Sequence, residues 1–174
     1  MKKYKAIAIP VSLTENIPRF LTVRDKRFKE WIFVTGGCKR REIFYPLRCA
    51  LRELREETRG VLSLKRGEYT TFTFNVRESP TVELEYTVFI LFVDFTRQQQ
   101  LELIRKFNEE KYKMYTKQIH VKRAYDENDY MSFDTLPEFN ARNRWDRIVQ
   151  NVIQNPAFYE CVTSQNRKSF FIKE

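Results

Sequence analysis

The 174 residues, 42% apolar and 32% charged, suit one soluble domain (1–174) with a full hydrophobic core, and no apolar run nears the roughly 18 residues of a membrane helix. Lys and Arg outnumber Asp and Glu 32 to 23, a net charge of +9 that draws polyanions. The one histidine, His120, excludes a histidine-rich metal centre and any Ser-His-Asp or Cys-His chemistry that does not use it.

The start, Met1-Lys2-Lys3-Tyr4, leads into too short an apolar stretch for a signal peptide and reads as the first strand, over 5–13. A turn through 14–18 and alternation over 19–25 and 31–35 predict two more strands. The helix predicted over 46–59 has Pro46 in its first turn and Gly60 at its end. Residues 68–77 and 82–95 predict an antiparallel pair around Ser79-Pro80. A helix is expected over 98–113, short strands over 118–124 (with His120 at a surface position) and 130–133, and a last helix within 141–154. Strands interleaved with helices give an α/β class. Three cysteines (Cys38, Cys49, Cys161) lack zinc-ligand spacing and form no even set for disulfides. A reducing cytoplasmic setting follows, with no membrane and no disulfide-linked partner.

The densest chemistry lies in Arg52-Glu53-Leu54-Arg55-Glu56-Glu57. At roughly 100° per residue, Glu53, Glu56 and Glu57 share one stripe of a helix, and Leu47, Leu51, Leu54 and Thr58 share the next. Like charges this close repel by a few tenths of a kcal/mol per pair. Hard divalent cations offset such repulsion, although a solvated acidic face shows the same pattern. The upstream residues separate the two readings. Three of the four glycines (Gly36, Gly37, Gly60) fall in this segment, and Gly36-Gly37 follows the apolar run Trp31-Ile32-Phe33-Val34. A glycine pair there predicts a loop with positive φ or close approach of a ligand to the backbone. Strand, glycine loop, acidic helix and glycine stop form one unit.

That unit resembles the Nudix box, G-x5-E-x7-R-E-U-x-E-E-x-G-U with U aliphatic. Gly36, Glu42, Arg52, Glu53, Leu54, Glu56, Glu57, Gly60 and Val61 match its defined positions. Nine residues instead of seven separate Glu42 from Arg52, and two instead of one separate Glu57 from Gly60. The resemblance implies the Nudix fold, a mixed β-sheet sandwiched between α-helices. It also implies hydrolysis of a nucleoside diphosphate linked to another group, with Mg²⁺ or Mn²⁺. Glu53, Glu56 and Glu57 are the implied metal ligands. Glu53 and Glu57 are also implied in catalysis, with Glu53 alternatively a general base through a bound water. Arg52 would orient a loop carboxylate, Glu42 being the expected partner. Gly36, Gly37, Glu42 and Gly60 frame the motif.

Family members often add an acidic residue from a late loop, for which Glu127 is the candidate and Asp126 and Asp129 the rivals. Glu83 and Glu85 are weaker candidates. Lys39, Arg40 and Arg41 are placed to contact substrate phosphates. Tyr4, Phe28, Trp31, Tyr45 and Tyr130 are candidates for stacking a base. Basicity and the enlarged box resemble Nudix proteins of large DNA viruses, several of which remove the 5′ cap of mRNA. Capped RNA, met in host cytoplasm, is therefore one expected substrate. A dinucleoside polyphosphate, a nucleotide sugar or an inositol pyrophosphate is another. A Nudix-fold RNA-binding module with little catalysis is a third reading, against which three clustered carboxylates weigh.

Overall fold

The computed structural model describes residues 1–117 and 122–173. Its centre is β1 (Lys2–Ser12), buried from Ala6 onward on both faces, as an apolar strand covered from two sides must be. One edge of β1 runs parallel to β6 (Val82–Phe92). Its other edge is shared: β4 (Val34–Gly37) pairs antiparallel with Lys5 to Ala8, and β2 (Arg19–Asp25) with Val11 and Ser12. β3 (Trp31–Ile32) pairs with the far end of β2. The one strand expected over 31–35 is thus two, because the chain changes partner at Phe33. That residue is buried, its ring 4.8 Å from Phe139.

β5 (Arg66–Ser79) pairs antiparallel with β6 and takes β8 (Lys168–Phe171) on its outer edge. β7 (Asn128–Asp134) lies antiparallel along β2 and completes a mixed eight-stranded sheet. This is the α/β architecture expected. α1 (Pro46–Glu57) packs Cys49, Ala50, Leu51 and Leu54 over β1 and β4. α2 (Arg97–Thr116), opened by a reciprocal Thr96–Gln99 cap, packs on β7.

The last expected helix is shorter, α4 (Asp146–Ile153), with α3 (Leu136–Asn140) before it and α5 (Pro156–Thr163) after it. Thr135 and Asn155 cap these flanking helices, and Pro137 and Pro156 occupy their first turns, so the chain restarts twice. Ile148, Val149, Val152, Phe158 and Val162 join the same buried cluster as β1. The strand expected over 118–124 is not formed at its end: Arg123–Asp126 is a 3-10 turn. Residues 118–121, with His120, lie outside the described residues. Among the described residues no helix is long and apolar enough to cross a membrane.

These pairings set the site. α1 lies against β4, so its glutamate stripe meets the glycine end of that strand. The 3-10 turn before β7 packs against α1 from the other side.

Candidate active site

Gly36 is required by close approach and not by its own φ. A Cβ there would lie 1.9 Å from Cδ of Glu53, so the carboxyl group sits directly on the glycine backbone. Gly37 has open space around its Cα and carries no such constraint.

Arg52 is the hub of the site. Its Nε and Nη2 donate to the two carboxylate oxygens of Glu42 at 2.8 and 2.9 Å, a bidentate pair. Nη1 donates to Glu53 Oε1 at 2.9 Å and Glu56 Oε2 at 3.1 Å, and Nη2 also reaches the Gly37 carbonyl at 3.0 Å. Burial opposes ionisation of Glu42. Hydrogen bonds from Arg52 and the Lys39 N–H nevertheless hold its carboxyl below the ordinary carboxylate range. The Glu42 bond, the largest effect, raises the Arg52 pKa further, so this cation is permanent.

A 3-10 turn (Arg40–Glu42) folds Glu42 back toward α1, and the longer stretch that follows it, 43–51, runs through Tyr45 into the first turns of that helix. Lys39, Arg40 and Arg41 are exposed at the 3-10 turn, beside Phe44, on the outer side of the Glu42–Arg52 pair. They make no direct contact with Glu53, Glu56 or Glu57.

Glu57 departs from its expected place on a solvent-facing stripe: it is 7% exposed. Its Oε2 accepts from the Thr35 N–H at 3.0 Å, and Oε1 lies 3.3 Å from Asn128 Nδ2. The helix turns by 400° between Glu53 and Glu57, which swings Glu57 inward toward β4 and β7. Glu57 therefore ties α1 to two strands as well as offering a carboxylate.

In the late loop, Asp126 is held by Lys26 (2.7 Å) and Arg59 (2.9 Å), and Asp129 by Arg24 (2.8 Å) and Lys29 (2.6 Å). Glu127 forms no ion pair among the described residues and faces the glutamates of α1. Its pKa is raised by partial burial and then by the charges of Glu56 and Asp25. Glu83 and Glu85 lie on β6, where Glu85 pairs with Lys2 at 3.0 Å. Of the aromatic candidates, Tyr130 is flanked by Arg24 and Lys111, and Trp31 is covered by Arg142.

Arg59 was not legible as a site residue. It is the extra residue between Glu57 and Gly60, and both adopt left-handed backbone, φ +58° and +81°. The helix closes there by a Gly60 N–H to Arg55 carbonyl bond of 2.7 Å. The Arg59 side chain, 1% exposed, turns inward. Its Nη2 donates to Asp126 Oδ1 and to the Asn128 carbonyl at 2.6 Å, gripping the residues on both sides of Glu127. The two-residue spacing was the visible signal.

Burial pushes the Glu53 carboxyl up to about 7; Glu56 and Glu127 add to this, and Arg52 opposes it. Burial raises Glu57 well above the ordinary range, with Glu53 and Glu127 adding and the Asn128 and Thr35 bonds opposing. Four carboxylates thus repel one another around one end of α1. A hard divalent cation fits this all-oxygen donor set. Among the described residues no three such groups converge tightly enough to enclose an ion. The cause is visible: Arg52 draws Glu53 and Glu56 to itself, while Thr35 and Asn128 turn Glu57 inward.

Two outcomes follow. Without metal, the folded protein keeps a proton on Glu53 that the unfolded chain has lost above pH 4.5. Stability should fall as pH rises from 4.5 through 7, by on the order of 3 kcal/mol. Thermal melting in a chelator should show that slope, Glu53→Gln should reduce it while the raised Glu57 and Glu127 keep the remainder, and a flat wild-type profile would contradict it. Replacing Arg59 by Ala should cost about 3 kcal/mol in denaturant unfolding, since it strips the buried partner from Asp126 and the Asn128 carbonyl. A loss under about 1 kcal/mol would remove Arg59 from this role.

The model of the NUDIX domain matches residues 3–140. No curated protein matches the chain in sequence. Among solved structures, a Nudix hydrolase from M. smegmatis, RenU, is similar with a TM-score of 0.55 at 12% identity over 90% of this chain and 89% of that one. The C. elegans Ap4A hydrolase gives 0.53 at 10% over 91% and 99%. The NUDIX domain of Shewanella oneidensis NrtR, complexed with ADP ribose, gives 0.53 at 10% over 86% and 84%. At these identities the structures speak for the fold, and the family model speaks for membership. The chain belongs to the Nudix family of pyrophosphohydrolases, enzymes that generally use divalent metal ions and act on nucleotide-type substrates.

Proposed function

We propose that residues 1–174 act as one Nudix unit that hydrolyses a pyrophosphate bond in the 5′ cap of RNA, releasing a capped nucleoside diphosphate. The observation that carries the hydrolytic part is the set Glu53, Glu56, Glu57 and Glu127, four mutually repelling carboxylates of which two, Glu53 and Glu56, are held by the permanent cation Arg52. Mg²⁺ or Mn²⁺ held by Glu53, Glu56 and Glu57 would neutralise pyrophosphate oxygens and acidify a bound water. Glu127, free of ion pairs and with a raised pKa, takes a proton from the attacking water at its carboxylate. Arg52 keeps Glu42 and the glycine loop in register, and Glu53 and Glu56, now bonded to it, would hold the cation in exchange for those bonds. Lys39, Arg40 and Arg41 meet the phosphates leaving the site.

Capped RNA is favoured over a small nucleotide by charge. The net charge is +9, and Arg40, Arg41, Arg48 and Arg55, on the 3-10 turn and α1, are exposed without side-chain partners among the described residues.

Glu56→Gln should lower turnover by at least about 100-fold while preserving the melting temperature. Glu127→Gln should lower kcat with KM nearly unchanged, as for a group acting in the transition state. Unchanged kcat in Glu127→Gln, with the loss found at Asp126 or Asp129, would move the role to that neighbour. Cap-labelled RNA, free cap analogue, dinucleoside polyphosphates, nucleotide sugars and inositol pyrophosphates, each with Mg²⁺ or Mn²⁺, test the substrate. Preferential release of the capped diphosphate from RNA is expected. Faster cleavage of a free nucleotide would establish a small-molecule hydrolase, and no cleavage of any would leave a binding module.

A further inference from the structure

α1 has a second functional-looking face. Glu53, Glu56 and Glu57 look one way, while Arg48, Leu51, Arg52 and Arg55 line a groove of about 1160 Å³ whose far wall is built from β5, β6 and β8. The two faces meet at the Glu42–Arg52 pair, which braces the carboxylates and also lines the groove.

The groove is basic and aromatic. Arg41, Arg48 and Arg55 are exposed and make no side-chain ion pair or hydrogen bond among the described residues. Arg48 and Arg55 stand two helical turns apart, about 10 Å along the axis. Glu42 is the one acidic residue on the described lining, and both its oxygens are already taken by Arg52 and the Lys39 N–H. Phe44, Tyr45 and Phe171, at 85%, 66% and 70% exposed, present rings around the mouth.

The other basic stretch of the chain does not compare. On α2, Arg105 pairs with Glu102 and Glu109, and Lys113 with Glu110, so much of its charge is neutralised within the helix.

We propose that this groove is the binding track for the single-stranded body of an RNA whose 5′ end lies at the glutamates. Unpaired guanidiniums replace counterions along the phosphates, and exposed rings stack bases without sequence preference. Arginine with aromatic residues also suits a protein interface, but a lining without a free carboxylate among the described residues favours a polyanion. The proposal rests on the capped-RNA reading and locates its RNA.

The test is fluorescence anisotropy of a 5′-hydroxyl single-stranded RNA of about 20 nucleotides, longer than one binding track, in a chelator at several salt concentrations. The doubly substituted Arg48→Glu, Arg55→Glu protein should bind at least tenfold more weakly. Its log K against log salt should be shallower by about 1.4, two single-strand phosphate contacts. Tyr45→Ala should weaken binding roughly fivefold or more. Lys113→Glu with Lys117→Glu, at and just past the end of α2, should change little, and all variants should melt as wild type. Unaltered affinity and salt slope in the Arg48/Arg55 variant would overturn the proposal and leave the groove to a protein partner. An equal loss in the α2 variant, or no RNA affinity in wild type, would also overturn it. Because this RNA has no cap and no metal is present, the result is separate from the substrate. RNA held in the groove by a protein that leaves caps intact would sink the decapping reading alone.

Discussion

The geometry of the site hangs on one guanidinium. Arg52 spans Glu42 in the turn before α1, the Gly37 carbonyl at the end of β4, and Glu53 and Glu56 on its own helix. Glu42 and Arg52 are largely shielded from water, at 9% and 14% side-chain exposure, so each depends on the other to remain charged there. Such a pair adds little net stability over an apolar one, but removing either partner is costly. Its use is in specifying one arrangement: the bidentate fit fixes how the loop, the strand end and the helix meet. Gly36 completes the constraint, since any side chain there would occupy the space of the Glu53 carboxyl.

The two departures from the family spacing have different consequences. The longer stretch between Glu42 and Arg52 leads into the first turns of α1, and Glu42 still reaches its arginine. The extra residue before Gly60 does more than delay the helix end. It places a buried cation, Arg59, between the end of α1 and the loop that bears Glu127. A left-handed Arg is a strained choice in the open, and its buried hydrogen bonds to Asp126 and the Asn128 carbonyl offset that strain. The fourth carboxylate is thus tied to the helix that carries the other three.

Much of this was legible from residue type and spacing. β2 falls at the expected bounds, and α1 begins at Pro46, because alternation and a proline in the first turn are local signals. The glutamate stripe followed from helical periodicity, whereas the group that lies on Gly36 is the Glu53 side chain, which the glycine pair alone did not reveal. The misses are tertiary. The strand over 31–35 splits because β1 shares one edge between β2 and β4, which no local pattern records. Glu57 is buried because Thr35 and Asn128, 22 and 71 residues away in sequence, come to meet it. The free and paired basic residues differ only in what faces them: α2 carries its own glutamates at i+3 and i+4 spacing, while Arg48 and Arg55 face a groove.

The most direct measurement of the account is an anomalous difference map from crystals of the protein soaked in Mn²⁺. The account predicts a peak within coordination distance of Glu53, Glu56 and Glu57, with Arg52 still paired to Glu42 but released from Glu53 and Glu56. A peak elsewhere on the protein, or Mn²⁺ bound with Arg52 still bridging Glu53 and Glu56, would contradict it.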